Sequence, residues 1–205
     1  MQLETLLKNI EYTNKNISLE KELANISTDS RKVKKGSLYI SLPGTKTDGQ
    51  NFIKEVISNG VEAILCSEEW LEIQDNLDEN VSYIAVKDRR KAFAQISSNF
   101  YNNPTKKLFM IGVTGTNGKT TTTHLIENIL KEESLSLNRK NEPNTGVGII
   151  GTLYTRYGNI EKTAKFTTPM ADELHETFED MIKHNVNSVI MEVSSHALQQ
   201  ARVGS

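Results

Sequence analysis

The chain of 205 residues holds 24 Lys+Arg against 26 Asp+Glu, a formal net charge of −2, with 37% hydrophobic and 24% charged residues. A chain of this length makes one or two domains and buries roughly 70% of its unfolded surface without staples. The near balance of charge excludes a basic nucleic-acid coat and an acidic disordered tail, so no nucleic-acid partner is expected. The single cysteine, Cys66, excludes an internal disulfide and a cysteine zinc cage. Within Ala63-Ile64-Leu65-Cys66 it reads as a buried, inert thiol. The N-terminal MQLETLLKNI lacks the apolar core of a secretion signal. No run approaches about 18 consecutive apolar residues, so no membrane span is expected and the cytoplasm is the expected compartment.

In chain order, Leu3, Leu6, Leu7 and Ile10 mark one face of a short helix. A polar, irregular stretch is expected to about Asn25. Ser37–Leu42 alternates as a strand and Pro43-Gly44 stops it. Phe52, Ile53, Val56 and Ile57 form a helical face that Gly60 ends. Strands are predicted at Glu62–Cys66 and Ser82–Val86. Asp88 caps a helix to about Tyr101, with Ala92, Phe93, Ile96 and Phe100 inward. Asn102-Asn103-Pro104 is the best boundary, which divides the chain into domains 1–104 and 105–205. The second half opens on Leu108–Val113, a continuous apolar run that suits a strand buried on both faces. A Gly/Thr loop follows, then a helix from about Lys119 to Glu133, and a mixed region over 134–170 with Gly146, Gly148 and Gly151 around Ile149-Ile150. Ala171–His184 reads as a helix with Leu174, Phe178, Met181 and Ile182 inward, Asn187–Val193 as a second buried strand, and Ser195 onward as another helix. Alternating strands and helices in both halves imply an α/β fold: a small N-terminal α/β domain and a second domain with a mainly parallel sheet.

The strongest chemical signal is Gly112-Val113-Thr114-Gly115-Thr116-Asn117-Gly118-Lys119-Thr120-Thr121. A buried strand runs into a glycine-rich loop and a helix opens at Lys119. Gly115 and Gly118 permit backbone angles closed to other residues, so successive N–H groups can turn inward around a phosphate. The helix N-terminus adds unpaired N–H groups and the positive end of its dipole. Lys119 can reach the β- and γ-phosphates and Thr120 can set a hydroxyl on Mg²⁺. The strict G-x-x-x-x-G-K-[ST] pattern has glycine where this chain has Val113, while the GKT core is intact. An ordinary glycine-rich turn is the competing reading. Glu192 closes the run from Val186, and ligands of parallel α/β sheets sit beyond the carboxyl ends of strands. A carboxylate there can hold Mg²⁺; a bare strand end would leave it solvated.

These residues resemble a known family. Thr114–Thr121 is similar to the nucleotide loop of the Mur ligases and their folylpolyglutamate synthetase relatives. Met191-Glu192-Val193-Ser194-Ser195-His196-Ala197-Leu198 resembles the MurE type within that family. Thr28-Asp29-Ser30-Arg31 and Leu42–Gly49 resemble its N-terminal uridine-nucleotide module. The resemblance implies an ATP-dependent amide ligase of peptidoglycan precursor synthesis. The free side-chain carboxylate of UDP-MurNAc-L-Ala-D-Glu is phosphorylated, and the amine of a diamino acid, meso-diaminopimelate or L-lysine, attacks the acyl phosphate. It implies ATP and Mg²⁺ as cofactors, with Lys119 and Glu192 as catalytic residues. Gly115, Thr116, Asn117, Gly118, Lys119, Thr120 and Thr121 would bind ATP, and Thr120 and Glu192 the metal. It implies substrate contacts from Thr28 and Ser30 to uridine, from Thr45, Lys46 and Thr47 along the same nucleotide, from Thr167 and Thr168 on the diphosphate or sugar side, and from Ser194, Gln200 and Arg202 elsewhere on the precursor. Phe166 departs from an Asn common in this enzyme type.

Read from the residues alone, Thr28 and Ser30 also suit a tied-down turn, Lys46 a solvated loop charge and Arg202 a surface helix position. His124 reads as structural or exposed, and His175 and His184 as solvated. His196 could orient Glu192 or a phosphate. No nucleophile-elbow glycines flank Ser194 and Ser195, which weakens a hydrolase reading. The family enzyme is more than twice this length, so the chain is expected to be its N-terminal part, folded over 1–104 yet inactive alone. The intact enzyme is expected to be a monomer. The unfinished sheet is expected to leave an unpaired edge. A folylpolyglutamate-type ligase and a non-catalytic UDP-sugar module are the alternatives, the first opposed by the segment 27–49.

Overall fold

The computed structural model describes residues 1–136 and 146–204. The chain divides into two compact units, Met1–Phe100 and Tyr101–Ser205.

The first unit runs α1 (Leu3–Leu6), β1 (Thr13–Lys15), β2 (Asn25–Ser27), β3 (Ser37–Ile40), α2 (Ile53–Ser58), β4 (Ala63–Ser67), α3 (Glu68–Glu72), β5 (Ser82–Val86) and α4 (Arg89–Phe100). Its sheet has the order β1-β5-β4-β3-β2, parallel throughout except for β1, which pairs antiparallel with β5. Every residue of β3 and β5 is buried, as expected of central strands covered on both faces. β1 falls where an irregular stretch was expected. Its three residues are polar and exposed, so no alternation marks it. The side chains named as caps act locally: the Asp88 carboxylate accepts from the Arg90 and Lys91 N–H groups at the start of α4. Asn102 and Asn103 both hold left-handed φ, 59° and 51°, just past the end of that helix.

The second unit runs β6 (Phe109–Val113), α5 (Lys119–Ser136), β7 (Gly146–Ile150), β8 (Tyr154–Tyr157), β9 (Ile160–Thr163), α6 (Ala171–Lys183), β10 (Val186–Glu192) and α7 (Ser195–Gln199). The sheet order is β6-β10-β7-β8-β9. β10 pairs parallel with both β6 and β7, while β7, β8 and β9 form an antiparallel meander. That meander occupies much of the region expected to be mixed, α5 runs into its start as far as Ser136, and the part over 137–145 lies outside the described residues. Leu108, Ile150, Leu174, Phe178, Met181, Val189 and Met191 pack into one core.

Two expectations are corrected here. β6 is not buried on both faces: Phe109 is 64% exposed. Its apolar run reads like β10, but among the described residues it stands at the edge of the sheet with β10 as its neighbour. His175 is not solvated. It is 2% exposed, edge-on to the Phe178 ring, on the core side of α6. Burial pushes its imidazole down to about 4, because the charged form is disfavoured there. Cys66 is fully buried, and burial pushes its thiol up to about 12, as its apolar run implied.

Candidate active site

The site of the second unit is built by strand register. β6 and β10 run parallel with Glu192 opposite Val113, and the Val193 N–H donates to the Val113 carbonyl at 2.8 Å. The backbone of Glu192 therefore stands at the strand end beside the point where the glycine-rich loop departs, while its carboxylate meets the turn after β7. Within that loop Gly115 has φ 149° and Gly118 φ 78°. A Cβ on Gly118 would meet nothing within 4 Å, so this glycine is required by backbone angle alone. Lys119 opens α5, and its Nζ donates to the Gly115 carbonyl at 2.8 Å. The ammonium thus closes over the loop it would share with a phosphate. Thr116 and Asn117 are exposed, Thr120 is half-buried and Thr121 is exposed.

Glu192 is 1% exposed. Its hydrogen bonds go to Thr152 rather than to Thr120: the Thr152 N–H donates to Oε1 at 3.1 Å and the Thr152 hydroxyl to Oε2 at 2.9 Å. The candidate substrate residues of this unit are drawn into one connected patch. The Thr152 and Thr167 hydroxyl oxygens are 3.1 Å apart. The Thr168 hydroxyl, itself buried, donates to the Glu192 carbonyl at 2.9 Å and accepts from the Ser194 N–H at 3.1 Å. Ser194 caps α7 by accepting from the Ala197 N–H at 3.2 Å. Arg202 donates to the Thr168 carbonyl at 2.7 Å and forks onto the Gln200 side-chain oxygen at 3.0 and 2.7 Å. Its guanidinium lies 5.8 Å from the centre of the exposed Phe166 ring. Arg202 is thereby a tied residue rather than a free surface charge. His196 is exposed and has no hydrogen bond to Glu192.

Glu192 could serve as one ligand of a divalent cation. After the two bonds from Thr152, each Glu192 oxygen keeps lone-pair capacity. Mg²⁺ is commonly held by one or two carboxylates with phosphates and water. Among the described residues no cluster of three His, Cys, Asp or Glu side chains stands together, at Glu192 or anywhere else, so the remaining ligands of such an ion would be hydroxyl, phosphate or water oxygens.

Sequence reasoning missed Thr152 and a buried charge cluster about two turns further along α5. Glu127 is 2% exposed and accepts from Arg156 of β8 at 2.8 and 2.9 Å, from Lys131 at 2.7 Å, and pairs with His124 at 3.2 Å. Burial alone would push this carboxyl up; the bonds from Lys131, Arg156 and His124 outweigh it and hold the carboxyl below its ordinary value. The spacing Glu127–Lys131 was visible as i, i+4, but the partner on β8 was not.

In the first unit Ser30 is buried in a 3-10 turn over Ser30–Lys32, which Asp29 caps by accepting from the Arg31 N–H. Thr28 is half-buried beside it. Thr45, Lys46 and Thr47 are exposed at the tip of a loop closed by the Gly49 N–H to the Leu42 carbonyl, 2.9 Å. Arg89 holds that loop: its guanidinium forks onto the Asp48 carboxylate at 2.7 and 2.7 Å and donates to the Ser41 carbonyl. Arg90 donates to the Pro43 carbonyl. The hydrogen bonds from Arg89 hold the Asp48 carboxyl below its ordinary value. Asp88-Arg89-Arg90 read only as a helix start, so this clamp was not foreseen.

A parallel strand that delivers a glycine-rich GKT loop to a helix N-terminus, with a carboxylate on the adjoining strand end, is the architecture of a P-loop α/β protein. The Mur ligase middle domain model matches residues 113–205, and the model described as Mur ligase family, catalytic domain, matches residues 22–101. The chain belongs to the Mur ligase family. It is 39% identical over 203 residues to the UDP-N-acetylmuramoyl-L-alanyl-D-glutamate--2,6-diaminopimelate ligase of Clostridium tetani, which covers 99% of this chain and 39% of that one. A ligase of the same name from Halalkalibacterium halodurans is 42% identical over 182 residues, 89% of this chain and 34% of its own. The chain thus spans about two fifths of the length of the curated relatives it matches. Among solved structures, a ligase of that name superposes with a TM-score of 0.70 at 22% identity, over 99% of this chain and 38% of that one. The D-alanyl-D-alanyl ligase of Acinetobacter baumannii, of the same fold, gives 0.56 at 20% identity over 95% and 36%.

Proposed function

We propose that this chain supplies the uridine-nucleotide and ATP-binding parts of a ligase that joins 2,6-diaminopimelate to UDP-MurNAc-L-Ala-D-Glu at the expense of ATP. The observation that carries the reading is the register Glu192–Val113, which sets an acidic residue at the strand end beside the origin of the GKT loop. The names of the relatives support the substrates, and favour 2,6-diaminopimelate over L-lysine.

A carboxylate is a poor electrophile. In the proposed reaction its oxygen attacks the γ-phosphorus of ATP and ADP departs. The amine nitrogen then attacks the acyl carbon, the C–O bond to phosphate breaks, and the nitrogen gives up its proton. This chemistry needs alignment and neutralised charge more than covalent help from side chains. The loop N–H groups of Gly115–Thr121 would cradle the phosphates. Lys119 would leave the Gly115 carbonyl for the terminal phosphates and neutralise them. Thr120 and Glu192 would hold Mg²⁺, which supplies charge stabilisation on the transferring phosphoryl group. Thr167, Thr168, Ser194, Gln200 and Arg202 would hold the precursor in the second unit, and Thr28, Ser30, Thr45, Lys46 and Thr47 its uridine end in the first.

Calorimetric titration of the chain with Mg²⁺·AMP-PNP and separately with the UDP-precursor tests this. Binding of both, with nucleotide binding abolished by Lys119→Ala in a chain that keeps its fold, is expected. Parent-like nucleotide binding by Lys119→Ala refutes the reading, as does a reduced folate that displaces the UDP-precursor.

A further inference from the structure

We propose that Thr152 is a positioning residue that fixes the Glu192 carboxylate for a divalent cation, a reading that rests on the function proposed above. β7 pairs parallel with β10, Ile150 opposite Met191, so the turn after β7 passes beside Glu192. That turn fits the carboxylate closely. A Cβ on Gly151 would lie 2.6 Å from Glu192 Oε1, so a side chain there would displace the carboxylate from its present place. The next residue then grips both oxygens at once, N–H to Oε1 and hydroxyl to Oε2. A glutamate side chain turns about three torsions; two donors from one residue, one on each oxygen, set both its position and the plane of the carboxylate. The remaining lone pairs keep a defined direction.

Proton accounting extends the grip. An ionised carboxylate only accepts, so the single Thr152 hydroxyl proton goes to Oε2. The proton between Thr152 and Thr167, whose oxygens are 3.1 Å apart, is then the one on Thr167. Thr167 in turn holds the Thr152 hydroxyl in the rotamer that serves Glu192. Outer partners that orient a metal-binding side chain in this way typically change metal affinity by about 10–100-fold when removed.

The test is the Mn²⁺ affinity of the 205-residue chain saturated with AMP-PNP, read from the electron paramagnetic resonance of free Mn²⁺, with metal-free nucleotide affinity measured on the same samples. Thr152→Val keeps the N–H and the volume and removes the hydroxyl. Its Kd for Mn²⁺ is expected to rise about tenfold or more, with Thr152→Ser returning near the parent value and metal-free nucleotide affinity unchanged in both. A Mn²⁺ affinity of Thr152→Val equal to that of the parent overturns the proposal, as does Thr152→Ser binding as weakly as Thr152→Val. Should Thr152→Val lower the folded population in a thermal melt, Thr152→Ala is read by the same measure, and parent-like Mn²⁺ binding there overturns the proposal equally. Failure of the parent to bind Mn²⁺·AMP-PNP removes the underlying function and this role with it. Lys119-dependent binding that ignores Thr152 removes this role alone.

Discussion

The second unit should lose stability on mild acidification, and His175 should be the cause. Its imidazole titrates at about 4 in the folded chain against an ordinary value of 6.5. Protonation therefore favours the unfolded chain: the contribution of His175 is whole above 6.5 and is lost as the pH falls toward 4. Linkage over the two values gives a loss of about 2 kcal/mol between pH 7 and pH 5, and about 3 kcal/mol once the pH is below both. The Asp172 carboxyl on the same helix is pushed up by burial and works in the opposite sense. The readout is accordingly the difference between the parent and His175→Leu, whose side chain suits a site edge-on to Phe178 and lining a cavity of about 400 Å³. Trp70 is the single tryptophan and lies in the first unit, so hydrogen exchange at the β10 amides is the appropriate probe. The parent should lose protection from pH 7 to 5, after correction for intrinsic exchange, by about 2 kcal/mol more than His175→Leu. A constant separation between the two proteins across that range would refute the reasoning.

Gly118→Ala should leave the fold intact and weaken AMP-PNP binding in calorimetry. The new methyl meets nothing, so the effect is the cost of holding φ 78° on an alanine, about 1–2 kcal/mol. Glu127→Gln should destabilise the second unit by roughly 3 kcal/mol in denaturant unfolding, since it strips the charge that Arg156, Lys131 and His124 converge on. A larger effect in Arg156→Met than in Lys131→Met would follow from the two bonds Arg156 gives to Glu127 against one from Lys131. Cys66 should be inert to a thiol reagent at pH 8 in the native chain and react fully in denaturant; rapid native reaction would contradict its burial and raised thiol value.

What was legible in the sequence is what short windows encode. The GKT loop, the apolar strands that flank it and Glu192 at a strand end are all local patterns, and so is the cap at Asp88. The resemblance to the Mur ligases rests on such windows as well. What escaped needed partners distant in the chain. Thr152 has no motif of its own; it matters because parallel pairing brings a turn after β7 to residue 192. Arg89 and Asp48 are 41 residues apart, and neither announces the other. His175 was misjudged by residue type, although it lies on the stripe that includes Phe178 and Ile182. β1 lacks any apolar alternation because its side chains are exposed. The apolar run of Phe109–Val113 misled in the opposite way: composition reports affinity for a covered site, not whether a layer covers each face of the strand.

The strand that carries Glu192 has one irregularity in its pairing with β7, between Val186 and Ser188. Beyond it the ladder is regular through Met191, and its partner on the other side keeps step to Glu192. A bulge absorbs an odd residue locally and lets the rest of a ladder proceed undisturbed. The offset is therefore discharged at the end where α6 turns into β10. An insertion in that turn, around Asn185, has a place to be taken up before it could rotate residue 192 to the opposite face of the sheet.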